Sequence, residues 1–134
     1  MRKLAKVPLV FLIGCSTAPK ADAPGTRPVS AQSKIRAAIE GNKELAKSCY
    51  ERALGRNEHL KGKLVLTWTI PEDRKAKDIR VVRTESTIAE TRLERCLIDM
   101  VASIDFSEVG GNPVHKITAY PYIFDLEGNR ATVF

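Results

Sequence analysis

Between Lys63 and Ile70 every second residue is apolar, with Val65 the one further apolar residue in between, and on either side of that stretch the apolar residues fall three and four apart. A period of two belongs to a strand with one dry face, and a period near 3.6 to an amphipathic helix. A chain that changes period in this way buries one face of a sheet under helices, which makes the expected fold class α+β. Leu64, Leu66, Trp68 and Ile70 share one face of the strand; Val65, Thr67 and Thr69 share the other. Residues 71–75 form a polar turn, and residues 77–84 form a second strand that makes a hairpin with the first. Before this hairpin, residues 33–54 carry Ile35, Ala38, Ile39, Leu45, Ala46, Cys49, Ala53 and Leu54 at helical spacing. Gln32 or Ser33 stands near the N-cap, Gly41 and Asn42 predict a bend or break, and Gly55 a stop. After the hairpin, residues 87–104 place Leu93, Cys96, Leu97, Met100, Val101 and Ile104 on one face, with Ser86 or Thr87 and Glu90 as a capping box. A loop follows, then a third strand over residues 114–124, then a tail or short extra strand over residues 125–134. The expectation is two helices on a three-stranded antiparallel sheet, in the order helix-strand-strand-helix-strand. The first strand is central, and the third is an edge or is bulged at Pro121, which cannot donate a ladder hydrogen bond.

The beginning of the chain sets the compartment. Arg2, Lys3 and Lys6 precede an apolar run over residues 7–13, the n-region and h-region of a secretory signal. That run is too short to span a bilayer, which takes about 20 residues. It ends in Leu12-Ile13-Gly14-Cys15, which resembles the bacterial lipobox. The resemblance implies a thioether-linked diacylglycerol on Cys15, cleavage before it, and acylation of the new amine. Two or more acyl chains hold a protein stably at a membrane. Ser16 rather than Asp after the modified residue implies, by resemblance to Gram-negative lipoproteins, an outer-membrane destination. Residues 1–14 are thus read as a signal peptide, residues 15–32 as a lipid-anchored flexible linker and residues 33–134 as the domain. The linker carries Pro19, Pro24 and Pro28 and no apolar period; fully extended, it reaches roughly 55 Å.

Two cysteines remain, Cys49 and Cys96, each on the apolar stripe of its helix. Export to an oxidising compartment and the even count point to a disulfide between them. The alternatives are two buried free thiols and a redox-active pair, although Cys-x-x-Cys spacing is lacking.

The rest of the composition excludes more than it suggests. With 43% apolar and 28% charged residues among 134, wholesale disorder, a collagen-like repeat and a multi-span membrane protein are ruled out. Net charge is +6, but Arg2, Lys3 and Lys6 are three of the 22 basic residues, so loss of the signal leaves 19 against 16 acidic. No basic run longer than two residues survives, which argues against a nucleic-acid partner. His59 and His115 have no ligand at helical or hairpin spacing, so no metal is expected. Gly110-Gly111 lacks the setting of a phosphate loop, and Ser33, Ser86 and Ser107 lack a nucleophile elbow. No cofactor and no enzymatic activity are expected.

Cys49-Tyr50-Glu51, Gly62-Lys63-Leu64-Val65-Leu66, Ile70, Val81-Val82, Thr84-Glu85-Ser86, Cys96-Leu97, Phe106 and Tyr120-Pro121-Tyr122-Ile123-Phe124 occur in an order that is similar to one family. This is the C-terminal domain of the AgmX/PglI group of myxobacterial and related proteins, itself similar to the TonB C-terminal domain. The resemblance covers about residues 34–124. Phe106-Ser107-Glu108 stands where that family usually has Phe-Pro-Pro, and the membrane helix and long Pro-rich spacer of TonB-type energy transducers have no counterpart here. The resemblance implies a periplasmic protein-interaction module in a cell-envelope assembly. The expected partner is another envelope protein, bound by strand addition through Val114, Lys116, Thr118, Tyr120 and Tyr122. The competing expectations are a thiol-disulfide redox protein using Cys49 and Cys96, and an envelope lipoprotein that binds a small ligand or glycan.

Overall fold

A computed structural model describes residues 30–110 and 114–134; the expected signal peptide, the expected lipid site Cys15 and most of the expected linker lie outside the described residues, as do residues 111–113. The protein is α+β. Helices α1 (Ala31–Glu40), α2 (Lys43–Leu54) and α3 (Thr91–Ala102) accompany strands β1 (Gly62–Ile70), β2 (Lys77–Val81), β3 (His115–Glu127) and β4 (Arg130–Val133). The four strands form one antiparallel sheet in the order β2-β1-β3-β4. Three helices and four strands therefore replace the expected two and three.

Each difference has a local cause. The first helical stretch divides at Gly41 and Asn42. Gly41 ends α1, and the Asn42 side-chain amide donates to the Ala38 carbonyl at 2.8 Å while the Asn42 backbone carbonyl accepts from the Leu45 and Ala46 N–H groups. The helix begins two residues earlier than expected, because the Ser30 hydroxyl, rather than Gln32 or Ser33, accepts the Ser33 N–H. Helix α3 begins later, at Thr91. Glu90 is itself the N-cap, its carboxylate accepting the Leu93 N–H at 2.7 Å. Ser86 and Thr87 are drawn away from the cap by β1: their hydroxyls accept the N–H groups of Val65 and Lys63 at 2.9 and 2.8 Å. The final residues form β4, joined to β3 through Gly128, whose φ of 65° suits a two-residue hairpin turn.

The dry face of β1 is the one its alternation predicts: Leu64, Leu66, Trp68 and Ile70 are all buried. Against it lie Tyr50, Leu93, Leu97, Val101, Ile104 and Phe106, with Ile35 and Ile39 from α1. The Trp68, Tyr120, Tyr122, Phe124 and Tyr50 rings run in sequence, each centroid 4.8–6.4 Å from the next, a range in which tilted and offset pairs attract. The Tyr50 hydroxyl donates to the Leu60 carbonyl at 2.5 Å. Glu94 is buried on α3 and is held by both guanidinium nitrogens of Arg83, at 2.5 and 2.6 Å, a bidentate pair that anchors the exit of β2 to the helix. Helices α2 and α3 pack side by side. Cys49 and Cys96 form a disulfide between them, with a Cα–Cα distance of 5.7 Å.

Candidate functional site

The third strand is not the edge that the sequence suggests, because β4 pairs beside it. The pairing is only partial. Phe124 through Glu127 face Val133 through Arg130, and Ile123 exchanges both backbone hydrogen bonds with Phe134 at 3.0 and 2.9 Å. Among the described residues, no strand lies beside residues 115–122 on the side away from β1.

Which backbone groups face that open side follows from the ladder. The Val65 carbonyl receives Val82, so odd-numbered residues of β1 bond toward β2 and even-numbered ones toward β3. Across β3 the even positions of β1 meet Phe124, Tyr122, Tyr120, Ile117 and His115. The groups that point outward are then those of Pro121, which has no N–H, of the Thr118–Ala119 pair, and of Lys116. Lys116, Thr118, Ala119 and Pro121 are all exposed.

The same register explains where the five expected partner-binding residues lie. Leu66 faces Tyr120 but Trp68 faces Ile117, so β3 holds one extra residue opposite Thr67. This β-bulge changes the parity of the strand. Lys116 and Thr118 point to solvent, and Val114, just before the strand, is 56% exposed. Tyr120 and Tyr122 point the other way, into the helix layer. Tyr122 is 3% exposed and its hydroxyl has no partner among the described residues; burial first, then the nearby Tyr120 and Glu40, raise its pKa. Tyr120 is half-buried, its hydroxyl 3.5 Å from the Glu40 carboxylate, and burial followed by that carboxylate raises its pKa. The five do not form one reading face. Beyond the bulge, outward positions pass to Pro121 and Ile123, and Ile123 and Phe134 are exposed apolar side chains beside the open stretch. Alternation counted back from Phe124 finds this second set; the bulge lies at Thr118-Ala119 rather than at Pro121, which pairs in regular register with Val65.

The other two edges are less available. β2 has five residues, is charged at Lys77, Asp78 and Arg80, and is irregular between Thr67 and Thr69 of its partner, with Asp78 at φ 54°. Short, charged and bulged strands resist pairing. β4 has four residues.

Cys49 is buried and Cys96 half-buried, both committed to the disulfide. Among the described residues no group of three or more His, Cys, Asp or Glu side chains is placed to hold a metal, and no helix is long and apolar enough to cross a membrane. No protein-family model, curated protein or solved structure matches the chain.

Proposed function

We propose that this chain is a non-enzymatic protein-interaction module, anchored by lipid on Cys15 in the bacterial cell envelope and facing the periplasm, with the outer membrane as its destination. It binds a segment of another envelope protein as an added strand beside the first half of β3. The observation that carries this reading is the open stretch of β3: Lys116, Thr118, Ala119 and Pro121 are exposed, with no neighbouring strand beside them among the described residues. A guest strand would continue the row that β4 begins, and main-chain hydrogen bonds would supply affinity. Lys116, Thr118 and Ile123 would read its side chains. The lipobox and the resemblance to AgmX/PglI C-terminal domains support the compartment and the class of partner.

Lys116→Pro tests the mode of binding. It removes an N–H that points away from β1, so the internal ladder keeps its bonds. Crosslinking in native membranes followed by affinity purification of the full chain recovers the partner from wild type; the variant, with its disulfide and thermal transition retained, loses it. Equal recovery from both overturns strand addition. Labelled palmitate enters the wild-type chain and fails to enter Cys15→Ser; a wild-type chain without label overturns the anchor.

A further inference from the structure

On the helix layer, away from the sheet, α2 and α3 leave a concave groove of about 460 Å³ directly over the disulfide. Arg52 stands on the α2 side, and Arg92 and Arg95 on the α3 side, with Asp99 farther along α3. Leu45, Met100, Cys49 and Cys96 supply the apolar part of the lining. Leu45 is 50% exposed, an unusual position for a large aliphatic side chain on a helix whose opposite face is core.

The three arginines differ from their neighbours. Arg56 is paired with Glu90 and Arg83 with Glu94. Arg52, Arg92 and Arg95 have no carboxylate within ion-pair distance among the described residues. All three are exposed. Three guanidinium groups, none in direct ion-pair contact with a carboxylate, beside a partly apolar floor favour a ligand that carries both anionic and apolar groups.

We infer that this groove is a second docking site, and that its occupant is an acidic peptide segment of a partner protein. Arg52 takes one carboxylate on the α2 side, Arg92 and Arg95 take another on the α3 side, and an apolar side chain lies between them on Leu45, Met100 and the disulfide. Arg92 and Asp99 are about 10 Å apart along α3 at 1.5 Å per residue, so the α3 wall of the groove runs alongside about three residues of extended chain. Asp99 selects a peptide over a continuous polyanion. Its carboxylate repels a membrane surface or a nucleic-acid backbone at that end of the groove, but is met by a neutral or basic residue in a peptide of mixed sequence. The site shares no residue with the β3 edge, so it does not depend on strand addition.

Selection of a random heptapeptide phage library on the purified full chain tests the inference, with a synthetic copy of the winning peptide measured by fluorescence anisotropy. Wild type and Lys116→Pro enrich the same pattern, acidic residues flanking an apolar one. The double variant Arg92→Gln/Arg95→Gln, whose changes lie on the surface, binds the synthetic peptide about tenfold or more weakly, and Arg52→Gln weakens it as well. A library that yields no acidic pattern overturns the inference, as does equal binding by the arginine variants. Loss of binding in Lys116→Pro alone assigns the peptide to the strand edge instead. Displacement of the peptide by an equal concentration of short-chain phosphatidylglycerol overturns the choice of a peptide.

Discussion

Reduction of the Cys49–Cys96 bond should cost this domain a calculable share of its stability. The two cysteines are 47 positions apart and join α2 to α3. In the loop-closure model, a crosslink across that separation removes about 13–14 cal/mol/K of entropy from the unfolded chain, equivalent to about 4 kcal/mol at 25 °C. A domain of this size stands only about 5–15 kcal/mol above its unfolded state, so the bond accounts for a large fraction of the margin. The reduced thiols keep their places on α2 and α3, one buried and one half-buried, and the folded packing changes little. The loss therefore arises in the unfolded ensemble. Urea unfolding followed by far-UV circular dichroism, with and without a phosphine reductant, measures it. With a urea slope of about 1.5 kcal/mol/M, the midpoint falls by about 2.7 M on reduction. Cys49→Ala/Cys96→Ala behaves like the reduced protein, with a small further loss from the space left at the buried Cys49. A midpoint shift below about 0.5 M would refute the reasoning, because the bond would then constrain little that the unfolded chain explores.

Gly62→Ala is expected to destabilise the fold by about 1–3 kcal/mol. Gly62 has φ 140°, and an added Cβ would lie 2.5 Å from the Thr87 hydroxyl oxygen that accepts the Lys63 N–H; thermal unfolding of the variant measures the loss. Glu90 should impose an acid limb on stability. Burial opposes its ionisation, but the Arg56 guanidinium and the Leu93 N–H more than offset this and hold its carboxyl below the usual glutamate range. A lowered folded pKa means that the contribution, about 1 kcal/mol for an N-cap of this kind, is present above the unfolded pKa and is lost as pH falls through the folded value. Unfolding free energies of wild type and Glu90→Gln between pH 7 and 2 should differ most at neutral pH and converge in acid.

The elements that were legible in the sequence are those whose signals are long. Alternation over residues 63–70, interrupted only at Val65, places β1, its dry face and its central position, and two apolar stripes place α2 and α3 closely enough to foresee that Cys49 meets Cys96. The features that escaped are short or contested. β4, four residues long, is too short for a period to choose between the tail and the short extra strand expected there, although Gly128-Asn129 between Glu127 and Arg130 is a hairpin signal. Ser86 and Thr87 read as helix caps because their hydroxyls suit that role; in the fold the β1 amides compete for them and win. The bulge opposite Thr67 leaves no mark in Ile117-Thr118-Ala119-Tyr120, where neither Gly nor Pro signals an extra residue. That single insertion decides which side chains of β3 a partner could touch, so the candidate site was legible as a strand but not as a surface.

The division at Gly41 and Asn42 has a mechanical consequence. Covalent locking begins at Cys49, and α1 is secured mainly by the Ile35 and Ile39 side chains. Any pull arriving along the chain from before Ser30 loads α1 first and reaches the cross-braced body only after that helix has peeled away. The helix then works as a sacrificial length of rope. It pays out slack at low tension while the stapled remainder, with both candidate docking surfaces, stays intact.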